Sequence, residues 1–209
     1  MLDRRHLLTA GVAAVLTPSI AARATATAPA ADEPFIGRRD APVAMTVWFD
    51  FQCPYCKILW QQTIPKLNDA YVRSGQLRLV FRDFSFLGKD SLTAAVVGRA
   101  VWHAFPRAYY AWTTAMFNAQ DGENGGFGDE ISVERLTVTV PGIEATALAK
   151  NFNANVKRYI AEVQADFAVG ERSGVRGTPA VAIGGRLMTG AVSFDDIAAR
   201  IAAELGNRL

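Results

Sequence analysis

Val43 to Phe51, V-A-M-T-V-W-F-D-F, is almost continuously apolar and rich in β-formers, as a buried central strand is. Leu77 to Phe81, L-R-L-V-F, alternates apolar and polar positions and predicts a second strand. Between them Ile58, Leu59, Ile64, Leu67, Ala70, Tyr71 and Val72 recur at helical spacing, and Ser74-Gly75 ends the pattern. Pro65 falls inside that helix. It should kink it, because proline removes one backbone hydrogen bond and its ring clashes with the preceding turn. After a loop from Asp83 to Lys89, Ser91 to Phe105 is rich in Ala and Val and predicts a buried helix. Pro106 suits the first turn of the next helix, which runs to about Asn118. D-G-E-N-G-G-F-G is a loop. Helical patterns then dominate from Val133 to Arg172, broken near Pro141-Gly142. The β pattern returns at Pro179 to Ile183, turns at Gly184-Gly185 and pairs back over Leu187 to Thr189. Ser193 is a good N-cap for a last helix ending near Leu205-Gly206, with Asp195 and Asp196 placed where the helix dipole favours them.

The order is therefore β-α-β, a long helical stretch, then β-β-α. One sheet assembled from both ends of the chain, with a helical insert between them, satisfies it. The chain has 209 residues, enough for a proper core without disulfide staples. Half of them are hydrophobic and a fifth are charged, the balance of an ordinary globular protein. The net charge is only +2, and no basic stripe announces a nucleic acid partner.

The first residues change the picture of where the protein works. Arg4 and Arg5 precede an apolar stretch from Leu7 to Ala22, and several A-x-A cleavage sites follow up to Ala28. This is the tripartite pattern of a secretory signal, with adjacent arginines similar to a twin-arginine signal. The stretch is interrupted at Pro18-Ser19 and is short of the ~20 residues of a membrane span. Residues 1–28 are expected to be removed and 29–40 to form a leader lying against the domain. Loss of the signal takes His6 with it. His103, in an apolar helical run, reads as a core or half-buried histidine.

The candidate chemistry is C-P-Y-C. Cys53 and Cys56 are the only cysteines, just after a strand and at the start of a helix. Free N–H groups and the positive end of the helix dipole stabilise a thiolate there. Cys53, nearer the helix start, is expected to be the exposed nucleophile, and Cys56, one turn inward, the buried partner that resolves a mixed disulfide. Pro54 limits the backbone between them. A bridge closing two residues is a poor staple, which favours a redox role over a static disulfide. A four-ligand zinc site has no second pair of ligands to draw on. Copper(I) handling by the two thiolates is a separate reading, with no Met or His nearby in sequence to complete the ligand set. Pro179, in G-T-P, opens the return strand; on residues alone its peptide bond is open to cis and trans. Asp50 has two readings, a proton-transfer partner for Cys56 or a solvated loop carboxylate. The four tryptophans read mostly as core, with Trp48 and Trp60 flanking the redox turn.

The run D-F-Q-C-P-Y-C-K, then F-R-D-F before a helical insert, then G-V-R-G-T-P-A-V-A-I-G-G, resembles the DsbA-like family of thiol–disulfide oxidoreductases within the thioredoxin superfamily. The resemblance spans about residues 36 to 205. It implies an α/β thioredoxin-like fold, its halves at 41–87 and 174–209, with an inserted helical domain at 88–173. It implies Cys53 as nucleophile, Cys56 as its partner, and Thr178 with a cis Pro179 as the substrate-binding loop. Tyr55 and Thr178 also occur in isomerase and reductase branches of these folds. Those branches typically add an N-terminal dimerisation domain, for which there is no room ahead of Val43, so a monomeric oxidase is expected. The implied partners are reduced exported proteins and a redox partner, membrane-bound or soluble, that resets the pair. The implied location is the periplasm, with no cofactor beyond the Cys53–Cys56 disulfide and no metal.

Overall fold

A computed structural model describes residues 33–122, 125, 127–190 and 192–207. The expected signal, with His6, lies outside the described residues. Five strands form one sheet in the order β1-β3-β2-β4-β5: β1 (Phe35–Ile36), β2 (Val43–Phe49), β3 (Leu77–Asp83), β4 (Ala180–Ile183) and β5 (Arg186–Thr189). β2 and β3 are parallel, with Val47 opposite Phe81, and β4 runs antiparallel to β2, with Val47 opposite Val181. The two ends of the chain thus meet in one sheet, as the element order required.

Part of the expected leader lies against the domain as a strand. Phe35 and Ile36 pair antiparallel with Val80 and Leu79 and add an edge strand. Two residues are too few for a periodic signal. β2 stops at Phe49 rather than Phe51, because the chain turns at Asp50, whose carbonyl accepts the Cys53 N–H at 3.1 Å.

The helix after the redox turn alternates between α and π geometry. α1 (Pro54–Ile58) runs into a π-helical turn at Leu59–Thr63, then α2 (Ile64–Leu67), then a second π turn at Asn68–Val72. Pro65 has no N–H for the carbonyl four residues back. The chain widens ahead of it, and the Ile64 N–H reaches five residues back to the Leu59 carbonyl. Between β3 and β4 lie α3 (Lys89–Ala104), α4 (Tyr109–Ala119), α5 (Glu130–Thr137) and α6 (Ala145–Arg172). Pro106 does not open α4, which begins at Tyr109. The Ala108 N–H instead closes a turn on the Phe105 carbonyl at 2.9 Å. α7 (Phe194–Gly206) starts at the expected cap, the Ser193 hydroxyl accepting the Asp196 N–H.

One apolar core runs from the sheet into the helices. Phe49 and Phe51 of the β2 end pack with Trp60 of the redox helix and Phe117 of α4, ring centroids 5.1 to 6.2 Å apart. The helices therefore form part of the redox helix's own core. On the other side Trp48, Phe84, Val175 and Ala180 form a second cluster against Phe167. Gly170 of α6 makes that approach possible, since a Cβ there would lie 2.7 Å from the Phe84 ring. Trp60 and Trp112 are buried core residues too, as their composition suggested.

A buried ionic chain, absent from any sequence pattern, ties these layers together. Arg99 of α3 donates to Asp83 at 2.8 Å and also to Asp166 of α6, while Arg82 donates to Asp166 at 2.7 Å and also to Glu33. The chain joins three carboxylates through two guanidiniums. Burial, first, pushes the Asp83 carboxyl up to about 6; Arg99 opposes this and Asp166 adds to it.

Candidate active site

The strand-to-helix junction sets the two sulfurs. Cys53 is the N-cap of α1 with extended backbone, and Pro54 takes the first helical position, where a missing N–H costs nothing. The Cys53 carbonyl accepts the N–H groups of Cys56 at 3.1 Å and Lys57 at 3.2 Å. The N–H groups of Tyr55 and Cys56 also face the Cys53 sulfur. Both cysteines are thiols here.

Exposure does not separate them as expected. Cys53 is 4 % exposed and Cys56 2 %, so Cys53 is covered rather than open. Electrostatics separates them instead. The Cys53 thiol is lowered to about 6, first by the Cys56 thiol, which donates to its anion. Burial opposes this, and the Thr178 side chain and the N–H groups of Cys56 and Tyr55 add to the lowering. Burial, first, pushes the Cys56 thiol well up, and the neighbouring Cys53 adds to it. One sulfur is set to be an anion near neutral pH and the other a protonated thiol.

The return strand supplies the facing wall. The Thr178–Pro179 bond is cis. The Cys53 thiol donates to the Thr178 carbonyl at 3.3 Å. The Thr178 hydroxyl is buried without another partner among the described residues. Pro179 is buried, whereas Tyr55 is 58 % exposed on the outer side of the turn.

Asp50 is not the solvated loop carboxylate of one sequence reading. It is fully buried, not solvated, and its carboxylate is occupied. One oxygen accepts the Gln52 N–H at 2.8 Å and the Ser91 hydroxyl at 2.6 Å, the other the N–H groups of Phe86 and Leu87 at 2.9 and 3.1 Å. Through these four donors it ties the redox turn to the loop after β3. His103 is half-buried on α3, stacked on Tyr159 and 2.8 Å from Glu162, joining α3 to α6.

Sequence reasoning missed the helical layer's grip on the turn. Gln120, capping the end of α4, donates its side-chain amide to the carbonyls of Phe51 at 2.7 Å and Cys53 at 3.2 Å. Lys57 donates back to the Gln120 carbonyl at 2.7 Å, and the Gln52 side chain donates to the Phe127 carbonyl at 2.6 Å. These partners lie 63 to 75 residues apart in sequence, beyond any spacing rule. Among the described residues no group of three or more His, Cys, Asp or Glu is assembled that suits a metal ion.

The comparisons agree with this geometry. The family model described as thioredoxin matches residues 30–203. The disulfide bond formation protein D of Bacillus subtilis (strain 168) is 22% identical over 173 residues, covering 83% of this chain and 77% of that protein. The probable disulfide bond formation protein D of Bacillus anthracis is 27% identical over 172 residues, covering 81% and 77%. Among solved structures, oxidised BdbD of Bacillus subtilis superposes with a TM-score of 0.76 at 22% identity, over 84% of this chain and 94% of that one. Chlamydia trachomatis DsbA gives 0.73 at 21% identity, over 84% and 92%. With a C-P-Y-C at the N-cap of its redox helix, a cis proline facing it and helices inserted between the two halves of its sheet, the chain belongs to the thioredoxin family and has the fold of its DsbA-like thiol–disulfide oxidoreductases.

Proposed function

We propose that this chain is a disulfide oxidant of exported proteins, working outside the cytoplasm as a monomer. The observation that carries the reading is the split between the two sulfurs. A low-lying Cys53 thiolate stabilises the reduced form, and a redox pair whose reduced form is stabilised is a strong oxidant.

The cycle starts from the Cys53–Cys56 disulfide. A substrate thiol loses its proton and its sulfur attacks Cys53. The Cys53–Cys56 bond breaks, and Cys56 leaves and takes up a proton, as its buried site favours. A mixed disulfide now joins Cys53 to the substrate. A second substrate thiol loses its proton and attacks the substrate sulfur, closing the substrate disulfide and releasing Cys53 as a thiolate. The low-lying thiolate makes Cys53 the better leaving group. Two electrons pass to the protein, and a redox partner must remove them. Tyr55 and Ile58, exposed on α1, and Phe86, exposed on the neighbouring loop, suit apolar segments of unfolded substrates. The Thr178 backbone beside the cis proline suits an extended substrate strand.

The test is the reduction potential of the pair, by equilibration with glutathione buffers and thiol trapping. A value toward the ~−120 mV end of the fold's range is expected. A value near ~−270 mV would make the protein a reductant and overturn the direction proposed. Cys53→Ser should abolish disulfide transfer to a reduced substrate protein.

A further inference from the structure

We infer that Gln120 is a positioning residue for Cys53, holding two carbonyls of the redox turn so that its N–H groups face the sulfur. This rests on Cys53 acting as the reactive sulfur, as proposed above.

The side-chain amide of Gln120 has two N–H donors, and both are used on the turn, on the carbonyls of Phe51 and Cys53. Its own oxygen is buried with no partner among the described residues. Reversing the amide would aim that oxygen at two carbonyl oxygens, so the two acceptors dictate its orientation. An apolar side chain would avoid the orphaned oxygen. It would also leave the buried Phe51 carbonyl without this donor. The donor function toward the turn is therefore what the position supplies.

The Gln120 backbone is held from two sides. The Gln120 N–H caps α4 on the Met116 carbonyl at 3.0 Å, and the Gln120 carbonyl accepts Lys57. Further along the redox helix, Trp60 donates to Thr114 at 2.9 Å and Gln61 to Asn118 at 2.9 Å. These bonds run as a ladder from α4 to the redox helix and fix its orientation. The Cys53 carbonyl is also the acceptor for the Cys56 and Lys57 N–H groups, so the Gln120 amide acts directly on the helix's first turn. Without it, the Phe51 and Cys53 carbonyls turn toward other donors, and the N–H groups of Tyr55 and Cys56 lose their aim at the sulfur. Gln120 touches no reacting atom; it acts through the turn.

The test is the pH profile of Cys53 alkylation by iodoacetamide, with the reduction potential, in reduced full-length wild type, Gln120→Met and Gln120→Glu. Met has a similar length and no donor; Glu keeps the shape and replaces the donors with a charged acceptor. We expect the Cys53 profile to move upward by about one pH unit in Gln120→Met, an alkylation rate about tenfold lower below the wild-type midpoint. Gln120→Glu should move it further, and both potentials should become more reducing. Lys57→Met, which frees the end of α4 from the half-buried rim, should move the profile the same way by less, and it carries the test where the Gln120 variants do not fold. A profile and potential unchanged from wild type in any of the three that folds would overturn the inference. An ordinary thiol profile in the wild type would instead overturn the proposed function on which it rests.

Discussion

Acidification should weaken the reduced protein against the oxidised one, and Cys53 sets the size of the effect. Its thiol lies at about 6 in the fold against 9.0 for a free thiol. The depressed value means that the folded chain holds the proton less tightly than the unfolded chain. The resulting stabilisation is therefore full above about pH 9, declines as pH falls and is lost below about pH 6. Near pH 7 roughly nine-tenths of Cys53 is thiolate in the folded chain, against roughly one part in a hundred in the unfolded chain. That difference is worth on the order of 1 kcal/mol in favour of the reduced fold and is close to nothing near pH 5. In the redox equilibrium it corresponds to a few tens of mV toward a stronger oxidant. The assay is urea unfolding of reduced and oxidised protein at about pH 7 and about pH 5. In the oxidised protein neither cysteine carries a proton, and the Cys56 thiol, pushed well up by burial, does not titrate in this range, so subtracting the oxidised unfolding free energy leaves the Cys53 contribution. The reduced-minus-oxidised difference should fall by on the order of 1 kcal/mol on acidification. A difference that stays constant, or grows, would refute the reasoning.

Three further outcomes follow from the packing. Arg99→Met leaves Asp83 and Asp166 short of a buried cation and should cost about 3–5 kcal/mol in urea unfolding; a loss under about 1 kcal/mol would mean that water or rearrangement compensates the carboxylates. Asp83 is raised to about 6 from an ordinary 3.8, first by burial, so the folded chain binds the extra proton and stability should rise as pH falls through about 6. The urea midpoint of the oxidised protein should show that rise, and Asp83→Asn should flatten it. Gly170→Ala places a methyl group 2.7 Å from the Phe84 ring and 3.0 Å from the Trp48 ring nitrogen, and should cost about 1–3 kcal/mol by overpacking, read as a lowered melting temperature.

The readings that succeeded rest on short-range chemistry. Apolar runs marked β2 and β3, the Ser193 cap marked α7, and a C-P-Y-C after a strand marked the redox turn. Those that failed each lacked a local signal or turned on a distant partner. Phe35–Ile36 is too short to carry a period, and becomes a strand only because the β3 edge is there to receive it. Asp50 looked like a loop acid because its four donors come from Gln52 and from a segment about 40 residues on. Cys53 looked exposed because the loop that covers it, at Thr178, is 125 residues away.

By itself the sequence determined the order of the elements after the leader and the dithiol at a helix N-cap, because periodicity, capping and turn chemistry act within a few residues; the role of Pro179 came from the family resemblance. Only the tertiary structure decided the burial of both sulfurs, the opposite pulls on their protons, the occupied state of Asp50, the buried Glu33–Arg82–Asp166–Arg99–Asp83 chain and the hold of Gln120 on the redox turn. Desolvation and hydrogen bonding to distant groups depend on which surfaces meet, and that is set by packing the sheet and the helices into one core.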